Sequence, residues 1–397
     1  MKILLLSNKS PWPPKDGGSA ATLASIRGLS ACGASVSVIA LNTLKHYIEP
    51  ENITAECTSY CDIRLIDADT RIKPHKLLGN LWFSQRPYTL ERFKSNELNK
   101  VLANTDLKSF DIIQVEGLAM TSFIPLLRKL TRSIIIFRPH NIENRIWKQL
   151  SENENDLVRR YYFGILASRT APIERNIINS VDGIAAMTEI DLKWFKASGV
   201  SRPSIVCHSG FPMLKPELKE GEKNQIFFIG SLDWLPNING LKWFVKNVWP
   251  IVSGSVPEAV LHIAGRNPSS RLGRICRGPK IIFHGEVGSS SGFMLDKQVM
   301  VVPLFEGSGL RMKIIEGMSM GKSIVATPAA AEGIEYSDGK DIFISSDENS
   351  FAGCIMRLLG DPGLRKNTAL NAMENVRKNY DIFASAEKLM KFYRELI

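Results

Sequence analysis

The sequence predicts an α/β protein built from two doubly wound, parallel-sheet (Rossmann-like) domains facing a central cleft. Three observations predict it. The chain has 397 residues, more than one ordinary hydrophobic core serves. Short apolar runs alternate with helix-period segments through both halves, as strand–helix–strand units with parallel sheets require. Between the halves lies Lys215-Pro-Glu-Leu-Lys-Glu-Gly-Glu-Lys-Asn224, polar, charged and broken by Pro and Gly, which reads as a linker.

In the first half, residues 2–7 form a first buried strand. This Lys-Ile-Leu-Leu-Leu-Ser run is too short for a signal peptide and is followed by Asn-Lys-Ser-Pro. Residues 18–32 read as a helix, with Leu23, Ile26, Leu29 and Ser30 near helical spacing. Further strands fall at 36–41, 63–66, 111–115 and 133–137. A long helix with aromatic and basic residues spans 155–180, and strands follow at 183–187 and 204–207.

The second half repeats the pattern. Strands fall at 225–229, 259–264, 280–283, 298–304, 323–327 and 341–344, and helices at 239–252, 309–320, 348–359 and 362–379. Residues 382–396 form one more amphipathic helix. The domains expected are therefore 1–214, a linker at 215–224, a second domain at 225–380, and a terminal segment at 381–397. Ligands of such sheets bind at the carboxyl ends of the strands, so the glycine-rich turns there should face the cleft.

Composition narrows the class. The chain is 44% hydrophobic and 23% charged, with a formal net charge of +10. Basic excess suits nucleic acid, anionic lipid or anionic small molecules. No zinc-finger, RNP-like or basic-region pattern occurs, so nucleic acid is not an expected partner. Peripheral contact with an anionic membrane fits better. No apolar run approaches the roughly 18 residues of a membrane span. Without an export signal, the expected location is cytoplasmic, with peripheral contact at the inner membrane face. The six cysteines, Cys32, Cys57, Cys61, Cys207, Cys276 and Cys354, include no CxxC pair. Cys57 and Cys61 lack a Cys/His pair at zinc-ligand spacing. Free thiols and no metal site are expected. Asn52-Ile-Thr54 matches a glycosylation sequon, which a cytoplasmic chain leaves unmodified.

The most informative stretch is Pro303-Leu-Phe-Glu-Gly-Ser-Gly-Leu-Arg-Met-Lys-Ile-Ile-Glu316, followed by Gly321-Lys-Ser-Ile-Val-Ala-Thr327. A strand runs into a glycine turn that opens a helix carrying Arg311 and Lys313 near its start. A helix N-terminus already holds roughly half a positive charge, so cations there are unfavourable by a few tenths of a kcal/mol. Two cations, free N–H groups and flexible glycines together describe an anion site, most often one for phosphate. Glu316, further along the helix, is placed to accept hydrogen bonds from sugar hydroxyls.

Other loops carry two readings each. Ser7-Asn-Lys-Ser-Pro-Trp-Pro-Pro-Lys-Asp-Gly-Gly-Ser19 joins the first strand to the first helix. Gly17 and Gly18 permit close backbone approach to an anion. The stretch is not GxGxxG, and a plain loop fits equally. Arg138-Pro-His140-Asn141-Ile-Glu143 puts a His at a strand's carboxyl end, where a structural role competes with a functional one. Gly230-Ser-Leu-Asp-Trp-Leu-Pro-Asn-Ile-Asn239 offers the N–H groups of Gly230 and Ser231 to phosphate, while Pro236 and Asn237 read as a turn and helix start. Arg159-Arg-Tyr-Tyr-Phe163 fits an acceptor or membrane contact, and also a helix face packed on its neighbours. Gly317-Met-Ser-Met-Gly-Lys-Ser323 imitates a P-loop but is one residue short and follows a helix rather than a strand, so it reads as a tight αβ turn.

Taken together, these residues resemble the GT-B glycosyltransferases, and the second domain resembles the retaining family 4 (glycosyl transferases group 1), in a subgroup with a Gly-Ser-Gly-x-Arg-x-Lys-x-x-Glu pattern. That family's motif has two glutamates separated by seven residues. Glu316 matches the second, and the resemblance implies that it holds ribose hydroxyls. Eight positions earlier stands Ser308, not an acid; Glu306 is two residues off register. The family's Arg and Lys after the strand that ends here at Gly230 are also missing, a loss that Arg311 and Lys313 can offset. Gly17 and Gly18 match the family's N-domain phosphate loop. His140 falls where a His lies near the donor sugar, and Gly285-Glu-Val287 resembles the loop whose backbone meets the base. The final helix is implied to cross back onto the first domain.

The resemblance implies metal-independent retaining transfer of a sugar from a nucleotide diphosphate sugar to a saccharide or lipid-linked acceptor, in cell-surface polysaccharide or glycolipid assembly. His140, Arg311 and Lys313 would serve catalysis. Gly17, Gly18, Gly230, Ser231, Val287, Gly307, Ser308, Gly309 and Glu316 would bind the donor. Ser308 keeps open a catalytically silent nucleotide-sugar-binding subunit, and another GT-B enzyme such as a nucleotide-sugar epimerase is a further alternative.

Overall fold

The computed structural model describes residues 1–212 and 221–397, so most of the stretch expected as a linker lies outside the described residues. The chain divides into two units. Met1–Gly210, Ser308–Leu310 and Ile382–Ile397 form the first; Phe211–Gly307 and Arg311–Asp381 form the second.

The first unit is built on a seven-stranded, all-parallel sheet of β1 (Lys2–Ser7), β2 (Ser35–Thr43), β3 (Asp62–Ala68), β4 (Ile112–Glu116), β5 (Ile134–Arg138), β6 (Gly183–Ala186) and β7 (Ser204–Val206). Their order is β3-β2-β1-β4-β5-β6-β7. Strand side chains alternate between faces, and both faces are covered. Leu4, Leu6, Ile113, Val115, Ile135 and Phe137 enter one core, while Ile3, Leu5, Val36, Val38, Ile112 and Ile136 enter the other. This is why the strands read as unbroken apolar runs. A fully buried Leu, Ile or Phe contributes about 1.5–3 kcal/mol, against ~0–1 for a surface ion pair, so the sheet interior holds the unit together.

The terminal helix Ile382–Leu396 belongs to this unit. It places Leu389, Met390, Phe392 and Tyr393 in the second core and packs on the helix Gly17–Ala31. At that crossing a β-carbon on Gly28 would lie 2.7 Å from Ala386 Cβ and 2.9 Å from the Ile382 carbonyl oxygen. Only a glycine lets the two helices approach so closely.

The second unit holds a six-stranded parallel sheet of β8 (Gln225–Ile229), β9 (Val260–Ala264), β10 (Ile281–Gly285), β11 (Val299–Val302), β12 (Ser323–Ala326) and β13 (Phe343–Ile344). The order is β10-β9-β8-β11-β12-β13. Ile226, Phe228, Leu261, Ile263, Val299, Val301 and Val325 form its core with Phe244, Phe351 and Ile355 from the covering helices.

Boundaries differ from expectation where Pro and Gly intervene. β11 ends at Val302 rather than 304, because Pro303 has no N–H for the ladder. The following helix is Met312–Ser319, not 309–320. Gly307 and Gly309 hold φ of 139° and 77°, a left-handed turn that delays the helix start. The helix expected at 239–252 begins at Leu235, with Pro236 in its first turn, and passes through a π segment, Phe244–Val248, before Trp249–Ser255.

Candidate functional site

Each sheet reverses its winding beside its first strand, at β1/β4 in the first unit and at β8/β11 in the second. Ligands of such sheets collect outside the carboxyl ends at these points. Gly17 and Gly18 follow β1, Gly230 and Ser231 follow β8, and Gly307, Arg311 and Lys313 follow β11, while His140 follows β5 and Val287 follows the edge strand β10.

In the second unit, Gly230 follows the end of β8. A β-carbon on it would sit 2.9 Å from Asn237 Nδ2 and 3.2 Å from Lys313 Nζ, so a glycine is needed for both side chains to come this close. Lys313 Nζ donates to Asn237 Oδ1 at 2.8 Å, and Asn237 Nδ2 donates to the Ser231 carbonyl at 2.8 Å. The ammonium also lies 4.5 Å from the centre of the Phe228 ring. Burial, joined by repulsion from Arg311, pulls the Lys313 ammonium down to about 7. It is a cation held at a cost, and an incoming anion would relieve that cost.

Arg311 occupies the N-cap position of the helix Met312–Ser319. It is buried, with its guanidinium 5.6 Å from the centre of the Trp234 ring. A β-carbon at Gly307 would collide with its Nη2. Glu316, about one and a half turns along the same helix, accepts a hydrogen bond from Ser290 Oγ. Burial raises the Glu316 carboxyl above its usual range, and the Ser290 hydrogen bond opposes the rise. Val287 is partly buried in the loop between β10 and Ser290. Gly230, Ser231, Gly307, Arg311 and Val287 thus lie on turns that follow strands of the second sheet, and Lys313 and Glu316 on the helix that the Gly307 turn leads into.

In the first unit, the loop after β1 is fixed by ions. Lys9 Nζ contacts Asp16 Oδ1 at 2.7 Å, and His46 Nε2 lies 2.8 Å from Asp16 Oδ2. Burial pushes the Asp16 carboxyl up, but Lys9 and His46 outweigh it and hold it well below the usual carboxylate range. Asp16 also accepts from Ser19 N–H in a capping box that starts the helix Gly17–Ala31. Gly17 is exposed at that helix start. A β-carbon on Gly18 would meet Lys9 Nζ at 2.8 Å and His140 Nδ1 at 3.1 Å, so Gly18 lies between these two side chains.

His140, just past β5, points Nε2 at Glu116 Oε2 at the end of β4. Burial raises the Glu116 carboxyl, but His140, Arg138 and the Gln114 hydrogen bond prevail and keep it below its ordinary value. An ionised carboxylate only accepts, so the shared proton sits on Nε2 and leaves Nδ1 turned to Gly18. Gln114 Nε2 donates to Glu116 Oε1, and Tyr393 of the terminal helix donates to Gln114 Oε1. His140 is therefore the end of a hydrogen-bonded chain rooted in the terminal helix.

Ser308 and Gly309 group with the first unit. Ser308 Oγ accepts from Ile142 N–H at 2.8 Å and donates to Asp191 Oδ1 at 3.0 Å. A β-carbon on Gly309 would collide with the His140 carbonyl oxygen. The hydroxyl at the position of the expected acid thus gives its proton to Asp191. Glu306, two residues before it, is 2% exposed.

Sequence reasoning missed Lys9, Asp16, His46, Glu116, Asn237, Trp234 and Ser290. The signal for Glu116 was present, since an acid closes the apolar run of β4. One Asp-x-Asp triplet, Asp67-Ala-Asp69, also occurs. Asp67 accepts from Asn42 at 3.0 Å, and Asp69 pairs with Arg71 and Lys73. Among the described residues no group of three His, Cys, Asp or Glu side chains could hold a metal. All six cysteines are free. The run Arg159–Phe163 splits: Phe163 is buried against Trp147, with ring centres 5.9 Å apart, while Tyr161 is exposed.

Two parallel-sheet units, each with glycine-containing turns at the strand ends, are the architecture of the GT-B fold. Residues 223–361 match the family model described as glycosyl transferases group 1. Over an alignment of 415 residues it is 23% identical to an uncharacterised 44.6 kDa protein in the cps region of Klebsiella pneumoniae, covering 98% of this chain and 99% of that one. Sucrose-phosphate synthase of Thermosynechococcus elongatus superposes with a TM-score of 0.72 at 16% identity, covering 100% of this chain and 99% of that one. HepE of Anabaena, solved with UDP and glucose, superposes with a TM-score of 0.67 at 13% identity over 98% of each chain. The G117R mutant of TarM from S. aureus, solved with fondaparinux, α-GlcNAc-glycerol and UDP, gives 0.72 at 11% identity over 99% of this chain and 100% of that one. Among the described residues no helix is long and apolar enough to cross a membrane.

Proposed function

We propose that this protein transfers a sugar from a nucleotide diphosphate sugar to an acceptor hydroxyl, with retention of anomeric configuration and without a metal. The observation that carries the reading is Lys313, hydrogen-bonded to Asn237 beside Gly230, with Arg311 next to it, inside the residues that match the family model. Departure of a diphosphate accumulates charge on its oxygens. Preorganised donors aimed at such charge are each worth about 2.7–4 kcal/mol in the transition state. Arg311, Lys313 and the N–H groups of Ser231 and Gly307 are given that task, since the Gly230 N–H already donates to the Ala264 carbonyl at 3.2 Å. Glu316 takes ribose hydroxyls and the backbone at Val287 the base. In the first unit, Gly17, Gly18 and Gly309 allow close backbone approach, and Glu116 orients His140 toward a sugar. The leaving phosphate itself takes the acceptor proton.

The HepE and TarM structures, solved with UDP, support a nucleotide-sugar donor. The cps-region relative supports a place in cell-surface polysaccharide or glycolipid assembly, with a saccharide or lipid-linked acceptor. The test is a thermal-shift panel of nucleotide sugars, followed by proton NMR of the product made with the best donor. An anomeric coupling matching that of the donor is expected; an inverted product would refute retention.

One observation favours a second reading. Ser308 stands where the family resemblance places an acid, and its proton goes to Asp191. A nucleotide-sugar-binding subunit without turnover would show a thermal shift with a donor but release no nucleoside diphosphate.

A further inference from the structure

The helix Pro74–Phe83 is apolar yet has no buried residue. Ile72 just before it is 63% exposed, and within it Leu78 is 58%, Trp82 78% and Phe83 92% exposed. Leu78 and Trp82 are one helical turn apart and share a face. Polar ties fix the helix in place. Lys73 N–H donates to Tyr88 Oη at 3.1 Å, and Arg169 donates to the Asn80 and Leu81 carbonyls at 3.1 and 2.7 Å. An aromatic-tipped helix held rigidly in water without a core of its own is unfavourable unless something covers it.

Beside it opens a cavity of about 390 Å³ lined by Arg71, Lys73, Lys76, Arg92 and Lys94, with Asp69 and Glu91. Five cations against two carboxylates leave an excess of three positive charges. Asp69 pairs with Arg71 and Lys73, and Glu91 with Lys94. Lys76 stands on the exposed helix itself. Exposed Trp and Phe next to a cationic basin match the two layers of an anionic bilayer surface. Aromatic rings partition into the headgroup boundary, and lysines and arginines meet lipid phosphates.

We propose that the helix Pro74–Phe83 and the adjoining cationic cavity form a docking surface for an anionic lipid bilayer. Ile72, Leu78, Trp82 and Phe83 enter the interface, and Lys76 and its neighbours bind headgroup phosphate. The proposal is independent of the transfer reaction.

The test is co-sedimentation of the full chain with vesicles of phosphatidylcholine alone or mixed with phosphatidylglycerol, at low and high salt. The expected result is binding to the anionic vesicles that weakens in high salt. The double variant Trp82→Ala/Phe83→Ala should lower partitioning at least about tenfold. Lys76→Glu should lower it about fivefold or more, the equivalent of ~1 kcal/mol per cation near an anionic surface. Both variants alter only exposed side chains, and unchanged thermal unfolding verifies the fold. Equal sedimentation with both vesicle types, or variants that bind like the parent, would overturn the proposal. So would a lipid-free dimer of the parent that dissociates in the aromatic variant, since a second copy would then be the occupant.

Discussion

Glu116 and His140, 24 residues apart in sequence, meet at the carboxyl ends of neighbouring strands, with Glu116 Oε2 facing His140 Nε2. Arg138 lies 4.0 Å behind the same carboxylate, and Gln114 carries the chain of hydrogen bonds on to Tyr393. The imidazole is thus fixed in tautomer and direction by groups that have no access to a ligand themselves.

Tyr393→Phe removes only a hydroxyl, so kcat should fall about 2- to 12-fold, the range for one neutral hydrogen bond, with the donor KM unchanged. Glu116→Gln should cost about 10- to 150-fold, the range for a charged one. In proton NMR the downfield His140 Nε2–H resonance should persist in the parent, shift in Tyr393→Phe and vanish in Glu116→Gln. A purely structural role for Tyr393 would leave that resonance where it is.

At the proposed donor site, Lys313 should make binding depend on protons. Its folded value is about 7, against 10.5 for the ordinary side chain. Between those values the unfolded chain holds a proton that the ligand-free fold has shed, so stability should rise with pH across that window and stay level below it. Lys313→Met should flatten the rise, by up to about 2 kcal/mol after allowance for partial exposure. A nucleotide sugar that binds at Lys313 should restore the proton. Calorimetry at about pH 8 in buffers of different ionisation enthalpy should show uptake of close to one proton. Uptake that survives in Lys313→Met would remove the residue from the diphosphate site.

The proposed role of Glu316 is to hold the ribose hydroxyls. Glu316→Ala should weaken nucleotide binding about 10- to 150-fold, the worth of hydrogen bonds to a charged acceptor. A deoxyribonucleotide should lose less affinity in the variant than the ribonucleotide does. Unchanged affinity for both in calorimetry would sink the ribose role.

Legibility in the sequence followed chemistry that is local. β1, β4 and β11 were readable because strands buried on both faces leave no polar interruption. The glycine turn before Arg311 was readable because cations at a helix start conflict with the helix dipole. Asp16 and Glu116 were not, because their meaning comes from Lys9, His46 and His140, which only the fold brings near. The helices Glu143–Asn153 and Glu189–Ala197 were missed although Thr188 caps the second by accepting from Asp191 N–H. The first starts at a partner remote in sequence: Glu174 accepts from the N–H groups of Glu143 and Asn144 at 2.7 and 3.1 Å. Ser308 was read as a donor ligand, and nothing in the sequence signalled Ile142 and Asp191 as its partners.

That remote cap makes a stability prediction. Burial raises the Glu143 carboxyl to about 7 and the Glu174 carboxyl to about 8. Both groups bind protons more tightly in the fold than unfolded, so their contribution is intact below the ordinary value of 4.5 and is lost as pH rises from there through 7 and 8. Glu143→Gln should therefore raise the unfolding free energy at about pH 8.5 by up to ~2 kcal/mol and change it little at about pH 5. A gain of equal size at both pH values in urea titrations would show that ionisation is not the cause.

The most direct measurement is release of nucleoside diphosphate from the best nucleotide sugar by the parent and by Arg311→Ala, whose guanidinium lies over Trp234 beside Gly307. Steady release by the parent, reduced about 10²- to 10³-fold in the variant with the fold intact, is the predicted result. Tight donor binding without release by the parent, or equal release by both proteins, would contradict a transferase whose leaving diphosphate is stabilised at this helix start.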